Sequence, residues 1–491
     1  MPSRKPNIVL IFSDNHPADM MGCSGNAEVH TPNLDRLAAG AVRFSNAFCP
    51  NAMCSPCRAS VLTGLMPSQH GIHTWLDDGN IANWPENWNA IEEFDSLPER
   101  LGRLGYHTAL IGKYHLGIAD LPQNGFREWV TLQIGHVQSF YDNDMIDNGE
   151  RYRHAEHSVD FFTNKAIDYL GRRGDARDEP FFLFLTYPAP YGHWPSIKGE
   201  PTNRFAERYR GMPMHSVPRE GISKSLIDWM FVRHDKMPVN EPAFYREVAQ
   251  IPNDLPTLRN YYSQMSMVDD GVGQVLGALE REGLSDDTLV IYTSDHGMSL
   301  GQHGFWGHGE DTWPSNTHRE AHHIPLIVRP PAGEACAHIE PALVGTTDIF
   351  ATVLDYVGAE PPPPAECRAR SLRGLLAGTS TGWEDAVFME QEETRAIRTS
   401  KWMLMRRFEP TAYDFSDELY DLEADPDERD NLIDDPACAT VVAELSEHID
   451  SFFSSYANPK WDLWRGGAVK SNSTRPFLWK EVWGEDWAPT Y

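Results

Sequence analysis

Five short apolar runs, each closed by a polar or glycine-containing turn, restrict this chain to very few architectures. They occupy residues 7–12, 108–111, 180–187, 288–293 and 323–328. Their apolarity is continuous rather than alternating, which marks strands buried on both faces. Helical stretches at 158–171 and 257–282 lie between them, and two further helix starts are visible. One begins at Thr31-Pro32, the other at Ser96, a capping residue followed by Pro98 in the first turn. Strand–helix alternation of this kind predicts an α/β fold built on a large, mostly parallel mixed sheet sandwiched by helices. The pattern changes at Pro361-Pro362-Pro363-Pro364. Beyond it, residues 386–390, 396–407 and 418–422 read as antiparallel strands, and a helix follows near 439–453. The expected division is a large domain over residues 1–365 and a smaller C-terminal α+β subdomain, containing an antiparallel sheet, over 366–491. The tail carries Trp461, Trp464, Trp479, Trp483 and Trp487. So many indoles would be costly to expose, and the tail is expected to dock on the body or on another subunit, the one hint of a homo-oligomer.

A chain of 491 residues supports one large core with a smaller unit appended. Its formal charge of −29, from 42 basic and 71 acidic residues, excludes the broad basic footprint of a nucleic-acid binder. An anionic ligand would need Lys, Arg, His or metal clustered locally against this field. The first apolar run is too short for a secretory segment, and no run reaches membrane-spanning length. Seven cysteines, at 23, 49, 54, 57, 336, 367 and 438, suit reduced thiols rather than a disulfide framework. A cytoplasmic protein with neither a membrane nor a nucleic-acid partner is the expectation.

In open parallel sheets, ligands sit outside the carboxyl ends of the strands. Asp14, Lys113, His193 and Asp295 each fall just after a predicted strand, so they are expected to meet in one site. The sharpest local motif is Cys54-Ser55-Pro56-Cys57-Arg58, followed at fixed spacing by Thr63-Gly64. Asp14-Asn15, Gly112-Lys113-Tyr114-His115-Leu116-Gly117, His193-Trp194-Pro195 and Thr293-Ser294-Asp295-His296-Gly297 stand in order around it.

This set resembles the sulfatase family, whose signature is Cys-x-Pro-x-Arg with a following Thr-Gly. The resemblance runs from residue 7 to about 330, and Glu418-Leu419-Tyr420-Asp421-Leu422 is similar to the family's C-terminal subdomain. It implies that Cys54 is converted to formylglycine by a formylglycine-generating enzyme. It also implies that Asp14, Asn15, Asp295 and His296, together with residue 54, hold a divalent metal. The mostly oxygen donor set suits a hard cation, Ca²⁺ by family expectation, with Mg²⁺ or Mn²⁺ as alternatives. The family often has Asp at position 15, so Asn15 removes one negative charge. By the same resemblance Arg58 stabilises the formylglycine oxygens, Lys113 neutralises sulfate charge, His115 accepts the gem-diol proton and His193 serves the leaving oxygen. Relatives commonly carry a Lys after Gly304; here the stretch is Phe305-Trp306-Gly307-His308-Gly309-Glu310. His308 is the candidate substitute, with His318, His322 and His323 as alternatives.

The implied activity is hydrolysis of a sulfate monoester on a sulfated small molecule or saccharide, whether sugar, aryl or alkyl. A phosphonate monoester or phosphodiester carries the same single charge and is the alternative substrate, and a non-catalytic anion-binding homologue is a third reading. Cys54-x-x-Cys57 could also be a redox pair or half a zinc site, but no second close pair exists to complete the latter. Cys57 reads as passive, and Cys23 and Cys49 as small core residues. Loops at 134–157 and 191–240 are expected to set specificity, and Trp75, Trp194, Trp306 and Trp313 are candidates for stacking on a ring.

Overall fold

The computed structural model describes residues 5–192, 194–236, 254–334, 337–409, 413–470, 472–473 and 475–491. Its body is a ten-stranded mixed sheet. In chain order the strands are β1 (Asn7–Asp14), β2 (Val42–Phe48), β3 (His107–Gly112), β4 (Glu128–Leu132), β5 (Asn143–Asp147), β6 (Glu150–His154), β7 (Phe181–Pro190) and β8 (Thr288–Ser294). A two-stranded ribbon of β9 (Ser299–Leu300) and β10 (Trp306–Gly307) stands apart, and β11 (His323–Arg329) and β12 (His338–Gly345) complete the sheet. The order is β12-β2-β11-β8-β1-β7-β3-β4-β5-β6. The central strands β8, β1, β7, β3 and β4 run parallel, β11 and β5 run against them, and β6 returns in the central direction.

β1 is the axis of the molecule. All eight of its residues are buried, as expected of a strand with neighbours on both edges and helices on both faces. Register then aligns the site. Ser13 pairs with Ser294, Asp14 with Pro190, and Gly112 with Thr186. The residues that follow these positions therefore emerge at one edge, whatever their distance in sequence. The helices Ser158–Asp175 and Leu255–Arg281 pack on β7 and on each other, on one face. The helices Cys54–Thr63 and Thr347–Tyr356 pack together in the core on the other face.

The C-terminal part carries a four-stranded antiparallel sheet of β13 (Val387–Gln391), β14 (Thr394–Arg398), β15 (Trp402–Arg407) and β16 (Glu418–Asp421), with the helix Ala439–Tyr456 packed on it. The run 396–407, read as one strand, is two: the chain reverses at Thr399-Ser400-Lys401, where the Thr399 N–H donates to Trp402 O at 2.8 Å. Nor are the two specificity segments structureless loops. Residues 143–154 form the β5–β6 hairpin, and 191–240 contains the helix Lys224–Lys236. Sequence reading also missed β2, β4 and β12. In β12, Pro341 sits at a register shift between Glu340 and Leu343 on the sheet edge, the position where a strand tolerates proline.

The tryptophan tail docks on the chain's own body. Trp461 and Trp479 are buried, and Trp479 and Trp487 join Trp229, Trp313 and Phe408 in one cluster. The feature that pointed to self-association is thus accounted for within one chain. Among the described residues Cys23, Cys49, Cys54, Cys57, Cys367 and Cys438 are free thiols, while Cys336 lies outside them. No described helix is long and apolar enough to cross a membrane.

Candidate active site

Cys54 is the first residue of the helix Cys54–Thr63, capped by Met53 in extended conformation. The first turn of a helix has unpaired N–H groups and the positive end of the macrodipole, so position 54 faces a field that favours anions. The rest of the motif shapes this helix. Thr63 back-bonds to Ala59 O at 2.7 Å, and Gly64 ends the helix at φ +75°, donating to Ser60 O at 2.8 Å. A Cβ there would meet the Phe350 ring at 2.8 Å. Cys57, one turn on, turns away from the site and lies 3.7 Å from Thr346 Oγ1. The C-x-x-C is therefore neither a redox pair nor half of a metal site.

Five side chains converge on Cys54. Its Sγ lies 3.3 Å from Lys113 Nζ, 3.6 Å from His296 Nε2 and 3.8 Å from Asp14 Oδ1. Lys113 Nζ also donates to Asp14 Oδ2 at 2.7 Å. Arg58, on the helix and one turn beyond Cys54, donates to Asp14 Oδ2 at 3.1 Å, to Asp295 Oδ2 at 2.9 Å and to Lys113 O at 2.8 Å. All of these side chains are buried. Burial raises the Asp14 carboxyl, but the Lys113 and Arg58 charges outweigh it and hold it well below the ordinary carboxylate range. Burial, and then the Asp14 charge, push the Cys54 thiol well above its ordinary value. Left as a thiol, residue 54 is a protonated and weak nucleophile.

The donor set fits a cation. Ligand atoms of Asp14, Cys54, Asp295 and His296 all lie within 4.8 Å of one another. His296 Nδ1 faces Gly297 O at 2.8 Å, so it carries the proton and leaves the Nε2 lone pair turned to Asp295 Oδ1 at 3.6 Å and Asp14 Oδ1 at 4.0 Å. Acceptors turned towards one another repel unless a positive ion lies between them. Asn15, at φ +61°, completes the set. With its amide nitrogen towards Asp14 Oδ1 it donates at 2.6 Å while its oxygen accepts from the Gly192 N–H at 3.3 Å. Turned the other way, its oxygen would join the acceptor cluster, an orientation that needs a cation. Arg58 and Lys113 already balance the two aspartates, so a divalent ion would leave the site net positive within a strongly acidic protein.

His115 follows at φ +54° and is buried. Its Nε2 meets Leu76 O at 2.9 Å, which places the proton there; Nδ1 is buried without a partner among the described residues. The structure sets His115 beside Lys113 but shows no contact with Cys54. His308 stacks on His296 with ring centroids 4.0 Å apart, and its Nδ1 faces Ala52 O at 2.8 Å. The alternatives to His308 are committed elsewhere: His318 to Glu428 at 2.8 Å, His322 to Cys49 O and His323 to Ser45 O. His193 lies outside the described residues. Of the four candidate stacking tryptophans, Trp306 and Trp313 are buried, the Trp194 side chain lies outside the described residues, and Trp75 stands at the site, edge-on to His136. His136 and Asp78 were missed by sequence reading. The available signal, a histidine four residues past the end of β4, required β4 to be recognised first.

Fold and site together define a class: hydrolases of oxyanion esters whose acidic cluster at the strand ends has donors that fit a cation. The sulfatase family model matches residues 6–359, and the model for the C-terminal region of N-sulphoglucosamine sulphohydrolase matches 309–454. The chain belongs to the sulfatase family, the sulfuric ester hydrolases. N-acetylglucosamine-6-O-sulfatase of Bacteroides thetaiotaomicron is 27% identical over 514 aligned residues, spanning 92% of this chain and 87% of the relative. A solved structure in complex with its substrate D-glucosamine-2-N,6-O-disulfate has a TM-score of 0.70 at 26% identity, covering 92% of this chain and 98% of that one. The phosphonate monoester hydrolase of Agrobacterium radiobacter shares the fold, with a TM-score of 0.66 at 21% identity over 91% of this chain and 95% of that one.

Proposed function

We propose that this chain hydrolyses a sulfate monoester of a hydroxylated small molecule or saccharide, with Cys54 oxidised to formylglycine by a separate formylglycine-generating enzyme. A divalent cation, Ca²⁺ before Mg²⁺ or Mn²⁺, would be held by Asp14, Asn15, Asp295 and His296 together with residue 54. The observation that carries this reading is the convergence of Lys113, His296 and Asp14 on Cys54 at a helix N-terminus. When present, the hydrated aldehyde and the cation supply an activated hydroxyl nucleophile and a Lewis acid for the sulfate oxygens.

The chain's own residues do the rest. Lys113 Nζ, held by Asp14 beside position 54, places a fixed charge where sulfate oxygens must lie. Arg58 bridges Asp14 and Asp295 and orients both carboxylates. His115, its tautomer set by Leu76 O, offers Nδ1 as a proton acceptor. His308 stands in for the missing Lys, and His193 serves the leaving oxygen. Sugar esters stand first because N-acetylglucosamine-6-O-sulfatase of Bacteroides thetaiotaomicron and the solved complex with D-glucosamine-2-N,6-O-disulfate both point to aminosugar sulfates.

The test is production with a formylglycine-generating enzyme, mass spectrometry of the peptide spanning Cys54, and a panel of sulfated sugars, 4-nitrophenyl sulfate and a phenylphosphonate monoester. Conversion of Cys54 with the highest kcat/KM on a sulfate ester is expected. Higher kcat/KM on the phosphonate would overturn the substrate, and activity with an unconverted thiol would overturn the nucleophile.

A further inference from the structure

A second polar constellation lies one side chain away from Lys113 and His115. Asp78 Oδ2 accepts three hydrogen bonds, from Gly135 N at 2.8 Å, His136 N at 3.0 Å and His136 Nδ1 at 2.9 Å. Three donors on one oxygen fix the carboxylate and fix the proton of His136 on Nδ1. Among the described residues, Asp78 Oδ1 and His136 Nε2 carry no hydrogen bond. The approach is tight: a Cβ on Gly135 would sit 1.9 Å from the His115 ring. His136 lies edge-on to His115 at 4.5 Å and to Trp75 at 4.8 Å, and faces Tyr191 at 6.3 Å. The Tyr191 ring in turn lies 4.8 Å from Lys113 Nζ.

Exposure orders these groups. The Lys113 side chain is 1% exposed, that of Asp78 13% and that of His136 19%. The pair and its aromatic neighbours thus stand between the buried reacting groups and solvent, where the alcohol half of a sulfate ester has to sit. Aromatic faces joined by a few fixed polar atoms are how small-molecule sites hold a polar ring.

We propose that Asp78 and His136 are specificity-determining residues that read the hydroxyls of a saccharide leaving group, Asp78 Oδ1 and His136 Nε2 each pairing with a ring hydroxyl while Trp75 packs on the ring. The inference rests on the sulfatase reading and narrows it to sugar sulfates.

The test compares kcat/KM on the best sulfated sugar of a panel with that on 4-nitrophenyl sulfate, whose leaving group has no ring hydroxyls. In Asp78→Asn the inward oxygen can still accept from Gly135 and His136, while the outward acceptor becomes an amide NH₂. His136→Phe keeps a ring against His115 and Trp75 without a nitrogen. Each variant is expected to lower the sugar-to-aryl ratio of kcat/KM about ten- to a hundredfold. An unchanged ratio overturns the proposal, including the case where both substrates fall together because His115 has moved. Wild-type activity on aryl but not sugar sulfates overturns it too. Activity on neither ester strikes the sulfatase reading itself, and the proposal with it.

Discussion

Arg58→Met tests the electrostatics of the site directly. The guanidinium is 1% exposed and the Asp14 and Asp295 side chains are fully buried. Methionine keeps much of the stem but removes three charge-assisted hydrogen bonds, leaving two buried carboxylates to share Lys113. Removing one partner from a buried charge pair costs about 3–5 kcal/mol, a large part of the roughly 5–15 kcal/mol that holds a domain folded. The assay is urea unfolding at neutral pH in the presence of chelator. If the loss comes from the abandoned carboxylates, Arg58→Met/Asp295→Asn should be less destabilised than the sum of its single variants, by about 1–3 kcal/mol. The pH dependence has a definite sign. Asp14 titrates below its ordinary range, so the stability it contributes is present above that range and lost as pH falls through its folded value. Without Arg58 its pKa rises, and the gap between wild type and variant should narrow as pH falls through the carboxylate range. A cost under about 1 kcal/mol, or strict additivity in the double variant, would refute the reasoning.

Gly64→Ala should destabilise by about 2–4 kcal/mol, combining left-handed strain with the Phe350 contact; Gly25→Ala, also at positive φ but with nothing within 4 Å, should show the strain alone, and equal losses would remove the packing term. Cys54→Ala should abolish turnover while leaving the unfolding midpoint near wild type, since it removes one atom and opens no large cavity. Ca²⁺ at about a hundred times its Kd should raise wild-type stability by about 2.7 kcal/mol, and Asp295→Asn should lose most of that gain in the same titration. Glu320 is raised to about 7, first by burial and then by Glu428. Its stabilising contribution is full below its ordinary value and lost as pH rises through 7. The stability advantage of Glu320→Gln over wild type, read from urea midpoints, should therefore grow from pH 5 to pH 8.

The primary sequence determined the frame of this protein. Continuous apolar runs announced buried parallel strands, because a strand covered on both faces has no polar side to alternate. Strand ends placed Asp14, Lys113 and Asp295, because parallel sheets gather their ligands at one edge. The motif at 54–64 carried the family resemblance, and its Thr63 and Gly64 are explained by helix termination, a local requirement. What the tertiary structure decided is everything that depends on register between distant segments. Asp14 meets Asp295 because Ser13 pairs with Ser294 across the sheet, and no spacing along the chain encodes that. His308, rather than His318, His322 or His323, stacks on His296 because the other three are spent on Glu428 and on backbone carbonyls. Asp78 and His136 are 58 positions apart and meet through a hydrogen bond of 2.9 Å. Periodicity reports which face a residue takes on its own element, whereas a site is made where elements cross, and that is fixed by packing.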